Sequence, residues 1–272
     1  MPPIKVYAHR WSSPSRAVII FCRVNKIDFE EVTVDLFKSR HRTPEFKKIN
    51  PMAQVPVIVD GRFKLFERLK LTASLVTSSL EGGTQGDAVA VTGKARTSSG
   101  GRLQPTATDE LGADWEQWKL GSLGTTSHCL ISCPIQVRTK VTHGRPRPET
   151  TKHAEKSLMQ SLARIESVWL KGDAKFLLGR SHPSIADLIL VCSIMHLEVL
   201  DDDMRNRFLG GRKRILAWID NVKKATSPHF EEAHVFLLEV KAQMQSKAAA
   251  AATAAKQGGS EASSELKFSS KL

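Results

Sequence analysis

The stretch Ile4-Lys5-Val6-Tyr7-Ala8-His9-Arg10-Trp11-Ser12-Ser13-Pro14-Ser15-Arg16-Ala17-Val18-Ile19-Ile20-Phe21 changes period in its middle. Ile4 to Ala8 reads as a short strand. From Pro14 the apolar residues Ala17, Val18, Ile20, Phe21 and Val24 recur at helical spacing, with proline at the helix start, where its missing N–H costs nothing. Outward from there, Phe29 to Val34 alternates as a second strand. Thr43-Pro44-Glu45 opens a short helix through Ile49, with Thr43 as N-cap. Pro56-Val57-Ile58-Val59 is a strand, Asp60-Gly61 a hairpin turn, and Phe63 to Phe66 the return strand. The order βαβ, helix, ββ hairpin predicts a small mixed sheet, a parallel pair followed by an antiparallel pair.

The other end of the chain is helical. Leu158, Leu162, Ile165 and Trp169 share one helical face. Ser184-Ile185-Ala186-Asp187 fits a capping box, with Asp in place of Glu, opening an apolar and therefore buried helix over Leu188 to Leu200. Ile215, Leu216, Trp218, Ile219 and Val222 form another face, and Phe230 to Met244 reads as the last helix. From Lys247 an alanine run gives way to Gly, Ser and Glu, which reads as a mobile tail. Between these ordered parts the pattern breaks. Apolar periodicity fades after Leu80, and six of the 17 glycines fall between Gly82 and Gly101. The expected division is 1–80, an α/β domain; 81–150, a poorly ordered segment; 151–246, an all-α domain; and 247–272, a flexible tail.

Composition bounds the function. The 272 residues are 41% hydrophobic and 25% charged, as in a globular chain. No apolar run reaches the ~20 residues a bilayer span needs, and Met1-Pro2-Pro3-Ile4-Lys5 lacks the apolar core of a secretory signal. Cys22, Cys129, Cys133 and Cys192 are too scattered for a disulfide framework and read as reduced thiols. The net charge of +12 divides as +6, +2 and +4 over residues 1–68, 69–150 and 151–272. Without a recognition motif that spread reads as a solvated basic surface, not a nucleic-acid footprint. His128, Cys129, Cys133 and His143 fit no zinc spacing, so no metal is expected. Gly86 to Gly93-Lys94 has the wrong spacing for a phosphate loop.

Ser12-Ser13-Pro14-Ser15-Arg16 sits between a strand end and a helix start. Serines there often only cap. The alternative is an anion site, where the helix dipole and a hydroxyl donor favour a thiolate and lower its pKa. Val55-Pro56 before a strand is either an edge proline in trans or a cis-proline that exposes the Val55 backbone to an extended peptide.

The stretch Tyr7 to Phe21 resembles the start of a plant-type, theta-class glutathione S-transferase. So do Pro44-Glu45-Phe46-Lys47-Lys48-Ile49-Asn50-Pro51, Val55-Pro56 and Asp60-Gly61-Arg62. Trp169 to Gly179 and Pro183-Ser184-Ile185-Ala186-Asp187-Leu188 resemble its later half. The resemblance implies a thioredoxin-like α/β domain followed by an all-α domain, usually in a homodimer. It implies a detoxifying enzyme that joins glutathione to hydrophobic electrophiles or uses it as a peroxidase on organic hydroperoxides, with glutathione as co-substrate and no cofactor. Carried over by position, Ser12 would activate the thiol, ahead of Tyr7. Ser13 and His41 would line the glutathione site, Gln54 and Val55 would hold its peptide backbone with Pro56 cis, and Glu67 would meet the γ-glutamyl end.

Two departures accompany the resemblance. Arg68 stands where the family has a serine for the γ-glutamyl carboxylate, and residues 69–150 do not resemble the family's long helices, Asp114-Trp115-Glu116-Gln117-Trp118 aside. The abrupt change reads as a shifted frame or mis-joined intron, with divergence as the alternative. The expectations are impaired turnover and poor solubility, because the faces of Leu188–Leu200 and Ile215–Val222 would lack packing partners. The alternative function is a non-catalytic ligand-binding protein on the same scaffold. Ser270-Lys271-Leu272 matches a peroxisomal address, with cytosol or nucleus as further locations.

Overall fold

In a computed structural model that describes residues 3–66, 148–170 and 172–268, β1 (Ile4–Ala8) is an inner strand of a four-stranded sheet ordered β2-β1-β3-β4. It runs parallel to β2 (Phe29–Thr33), with Tyr7 opposite Val32, and antiparallel to β3 (Val57–Asp60), with Tyr7 opposite Val57. β4 (Phe63–Leu65) returns beside β3, with Leu65 opposite Ile58. Gly61 turns the hairpin at φ 55°, a region glycine enters without steric penalty. The mixed sheet, with a parallel pair and then an antiparallel hairpin, matches the sequence reading; the order β2-β1-β3-β4 comes from the structure. Strand ends shift by a residue: β2 stops at Thr33, β4 at Leu65, and β3 begins after Pro56, which has no N–H to give a ladder.

Strand alternation divides the apolar residues between two faces. Val6, Ala8 and Ile58 face α1 (Ser13–Val24), while Tyr7, Val57 and Val59 face α2 (Pro44–Ile49). The α2 helix is capped as expected, Thr43 Oγ1 accepting from the Phe46 N–H at 3.4 Å. α1 begins at Ser13 with Ser12 as its N-cap, one residue before Pro14. Every residue from Ser13 to Cys22 is buried, because α1 lies between the sheet and the helical half.

In that half, α3 (Pro148–Arg164) continues into a π turn (Ile165–Trp169). Leu158, Leu162 and Ile165 are fully buried and Trp169 packs at their edge. α4 (Ile185–Ile194) passes into a 3-10 turn (Met195–Val199), so the expected single helix over Leu188 to Leu200 is two consecutive pieces starting three residues earlier. Its capping box is formed as read: Asp187 Oδ2 accepts from the Ser184 N–H at 2.7 Å and Ser184 Oγ accepts from the Asp187 N–H at 3.4 Å. The fully buried Asp187 also accepts from the Leu177 N–H (2.9 Å) and Trp218 Nε1 (2.8 Å), tying three segments to one carboxylate. α5 (Asp202–Leu209) and α6 (Lys213–Thr226) follow. On α6, Ile215, Trp218, Ile219 and Val222 are buried, but Leu216 is 36% exposed and leaves the expected face.

The last helix, α7 (His229–Phe268), does not end near Met244 but continues through the alanine run, since alanine is the best helix former. A single core joins α1, the α1 face of the sheet and the helical half. The expectation that Leu188–Leu200 and Ile215–Val222 would lack partners is therefore corrected. α4 is covered by α1 and α6, and its 3-10 extension by α7. Glu67, Arg68, Asp114–Trp118, His128, Cys129, Cys133, His143 and Ser270-Lys271-Leu272 lie outside the described residues.

Candidate functional site

The strand directions bring three loops to one edge of the sheet. β1 and β2 end there and β3 begins there, so residues 9–12, 34–43 and 50–56 converge. β4 also ends at this edge, since Leu65 pairs with Ile58, and Glu67 and Arg68 follow beyond the described residues.

Ser12 occupies the N-cap of α1 at φ −73°, ψ 120°, yet its hydroxyl makes no capping hydrogen bond. Its backbone is fully engaged: the N–H donates to His9 O at 2.8 Å and the carbonyl accepts from the Arg16 N–H at 3.1 Å. The half-buried hydroxyl thus remains available at the positive end of a 12-residue helix. Ser13 differs. It is fully buried, and its Oγ accepts from Ser193 Oγ on α4 at 3.3 Å, so its side chain faces the helical half and not the open edge. Tyr7 packs edge-on against Phe46 at 6.2 Å on the α2 face, away from α1, as strand alternation predicts.

His41 lies in the 3-10 turn Arg40–Arg42. Its Nδ1 is buried without a hydrogen-bond partner among the described residues, and burial, then the Arg42 charge, hold its pKa below the ordinary value. In the third loop, buried Asn50 donates through Nδ2 to Gln54 O (2.8 Å) and accepts from the Met52 N–H (2.9 Å). This local clamp sets the turn that exposes the Gln54 side chain. The Val55–Pro56 bond is cis, the Val55 side chain is buried in the α2-side cluster, and the ladder starts two residues later, at Val57. The backbone of Val55 therefore lies at the mouth of the sheet, outside the ladder.

Aromatic rings wall the same edge, and sequence reasoning did not single them out. The His9 ring meets Phe37 at 5.5 Å and Phe236 of α7 at 5.2 Å, and Trp11 meets Phe37 at 5.9 Å. Phe37 is 62% exposed. Asp35 shapes its loop by accepting from the N–H groups of Phe37 (2.9 Å) and Lys38 (3.1 Å), bonds that hold the carboxyl below its usual range. The only signal for Phe37 in the sequence was an apolar pair, Leu36-Phe37, set between Asp35 and Lys38; Phe236 reads as one more apolar residue of a helix. Burial lowers the His9 pKa against the opposing pull of Asp35, and its Nδ1 accepts from the Trp11 N–H at 3.2 Å. Exposed Lys38, Arg40 and Arg42 belong to the 34–43 loop at this edge and favour anionic ligands.

Comparison with known proteins bears on this arrangement. The family model "Glutathione S-transferase, N-terminal domain" matches residues 2–69 and "Glutathione S-transferase, C-terminal domain" matches residues 148–221. Glutathione S-transferase T1 of Arabidopsis thaliana is 43% identical over 247 residues, covering 89% of this chain and 91% of the relative. The apo form of human glutathione-S-transferase T1-1 superposes with a TM-score of 0.64 at 26% identity, over 88% of this chain and 90% of that one. Human glutathione transferase theta-2, solved in complex with glutathione, shares the fold at a TM-score of 0.66 and 24% identity, over 90% and 91% of the two chains.

Proposed function

This chain belongs to the glutathione S-transferase family, with theta-class relatives, and on that premise we propose that it activates the glutathione thiol with the Ser12 hydroxyl and delivers it to apolar electrophiles at the aromatic edge. The observation that carries the reading is the uncapped Ser12 hydroxyl at the start of α1, at the edge where cis Val55–Pro56 opens the sheet. A free thiol titrates near ~8.5, and a donor to its sulfur favours the thiolate and lowers that value. The thiolate then attacks an electrophilic carbon, and the bond to the leaving group breaks with its electron pair. With an organic hydroperoxide it attacks the O–O bond. An alcohol leaves, and a second glutathione converts the sulfenic acid to disulfide and water.

In this reading the Val55 N–H and C=O pair with the extended tripeptide, which the cis bond and the ladder's start at Val57 support. Exposed Gln54 and the accessible part of the half-buried His41 ring supply further polar contacts. Ser13 contributes through its place in α1, not through its buried side chain. Glu67 and Arg68 complete the γ-glutamyl end in this reading. Arg68, replacing a small hydroxyl, weakens glutathione binding by about ten- to a hundredfold, the worth of a lost bond to a charged group. Trp11, Phe37 and Phe236 receive the apolar acceptor.

Ser12→Ala tests the assignment. The expected result is a turnover lower by about ten- to a hundredfold with a raised apparent thiol pKa, while Tyr7→Phe stays within about threefold. Equal losses from both would refute it. Failure of the unmodified chain to bind immobilised glutathione, with its apolar ligands still bound, would favour the non-catalytic alternative. Titration of Arg68→Ser with glutathione checks the weakened site.

A further inference from the structure

Arg16 is completely buried, and no carboxylate among the described residues pairs with it. Its contacts are instead three backbone carbonyls and a ring. Nη1 donates to Arg10 O (2.8 Å) and Trp11 O (3.0 Å). Nη2 donates to Cys192 O (2.6 Å) and meets His196 Nδ1 at 3.3 Å. A guanidinium only donates, so Nδ1 accepts and the ring proton sits on Nε2. That Nε2 donates to the same Trp11 O at 2.8 Å. The Trp11 indole stands edge-on to the His196 ring at 5.2 Å.

Trp11 O belongs to the peptide unit that leads into Ser12. Because that unit is planar, fixing its oxygen and its N–H fixes the whole plane. Arg16 and His196 hold the oxygen, and the N–H of the same unit donates to His9 O at 2.8 Å. Ser12 O is held from the other side by the Arg16 N–H. The direction in which the Ser12 Cα–Cβ bond leaves the backbone is therefore set by a side chain of α1 and by one from the helical half.

We propose that Arg16 and His196 are positioning residues for thiol activation: by clamping the Trp11 carbonyl from beneath, they aim the Ser12 hydroxyl, so that the helical half controls the reactivity of the sheet edge. This rests on the reading of Ser12 given above. Burial pushes the Arg16 pKa only to about 10, so the clamp keeps its charge at neutral pH. Two donors on one carbonyl explain why the loop needs both: a neutral ring supplies the second bond without adding another buried cation.

The test compares His196→Leu with His196→Gln in the full chain, each alone and combined with Ser12→Ala, using glutathione and cumene hydroperoxide. His196→Leu should lower kcat about tenfold, raise the apparent thiol pKa, and move KM for glutathione by less than about twofold. His196→Gln, which keeps a donor near the position of Nε2, should recover most of the loss. In the Ser12→Ala background His196→Leu should add less than about twofold. A readout free of activity is amide exchange: the Ser12 N–H should exchange about tenfold faster in His196→Leu while Val6 is unchanged. If the Leu variant does not fold, His196→Asn, too short to reach Trp11 O, replaces it with the same expectations. Unaltered Ser12 exchange, a Gln variant as impaired as Leu, or losses that add fully to those of Ser12→Ala would overturn the proposal. A silent Ser12→Ala would overturn the Ser12 reading itself.

Discussion

The two faces of the sheet are built to different depths. Toward α1 the strands share a continuous core with the whole helical half, from Val6 and Ile58 through Ile19 and Leu190 to Trp218. Toward α2, among the described residues, the buried apolar side chains are Val34, Phe46, Val55 and Val57, with Tyr7, Leu36, Ile49, Val59 and Phe66 at the rim. The loops that carry His41, Gln54 and Val55 are anchored on the shallow side, while Ser12 is held from the deep side through Arg16 and His196. The two sets of residues that the proposed function assigns to glutathione binding and to thiol activation therefore rest on different supports. The shallow side can adjust to a ligand; the deep side cannot move without disturbing packing shared by both halves.

The largest expected effect tests the deep side. Asp187→Ala removes the acceptor of the Leu177 and Ser184 N–H groups and of Trp218 Nε1, leaving buried donors unsatisfied. Urea unfolding should show a loss of about 3–5 kcal/mol, with Asp187→Asn losing less. A loss below about 1 kcal/mol would mean that water satisfies these donors and the joint is looser than described. Phe46→Ala probes the shallow side. Its cost should be smaller, about 2–3 kcal/mol, because the cluster is small and its rim can collapse. Glutathione affinity should fall more than global stability suggests, since Val55 loses its support. Equal penalties for the two substitutions would erase the contrast between faces.

Acid sharpens the same comparison. His234 of α7 is buried, stacks on Phe230 at 4.1 Å and donates from Nδ1 to Phe230 O at 2.7 Å. Burial first, then the charge of Arg16, holds its pKa well below the ordinary 6.5. The unfolded chain takes up this proton at higher pH than the folded chain does. Its stability contribution is thus complete above 6.5 and is lost as the pH falls from there toward the lowered folded value. The slope from this group is at most about 1.4 kcal/mol per pH unit. His234→Phe should flatten the acid side of a plot of unfolding free energy against pH; an unchanged slope would assign the effect elsewhere. The smallest expectation is a null one. Burial pushes the thiols of Cys22 and Cys192 up to about 12, so mass spectrometry after exposure of the folded protein to iodoacetamide should find neither labelled.

Much of the shallow side was legible in the chain itself. Thr43-Pro44 capped α2, Asp60-Gly61 turned the hairpin, and alternation sent Tyr7 away from α1, because each is a local property of a few consecutive residues. The run Leu188 to Leu200 was read as a buried helix correctly in character but not in form, since nothing local announces the change to a 3-10 turn at Met195. The helix end misplaced at Met244 has a different cause: the apolar stripe stops there, but helix propensity does not.

Sequence by itself determined the element order, the sheet that follows from it, and Ser12 as the serine to examine. Only the tertiary structure decided that Ser12 and Ser13, neighbours of identical chemistry, have hydroxyls in different settings. One backbone step leaves the first hydroxyl half-buried with no capping bond and turns the second onto Ser193. It also decided that, among the described residues, Arg16 pairs with carbonyls and His196 and not with an acid. The residues that meet there are separated by 180 positions along the chain. No local pattern specifies such a meeting, because it arises only when two independently patterned halves bury their apolar faces together and must satisfy the polar groups trapped between them.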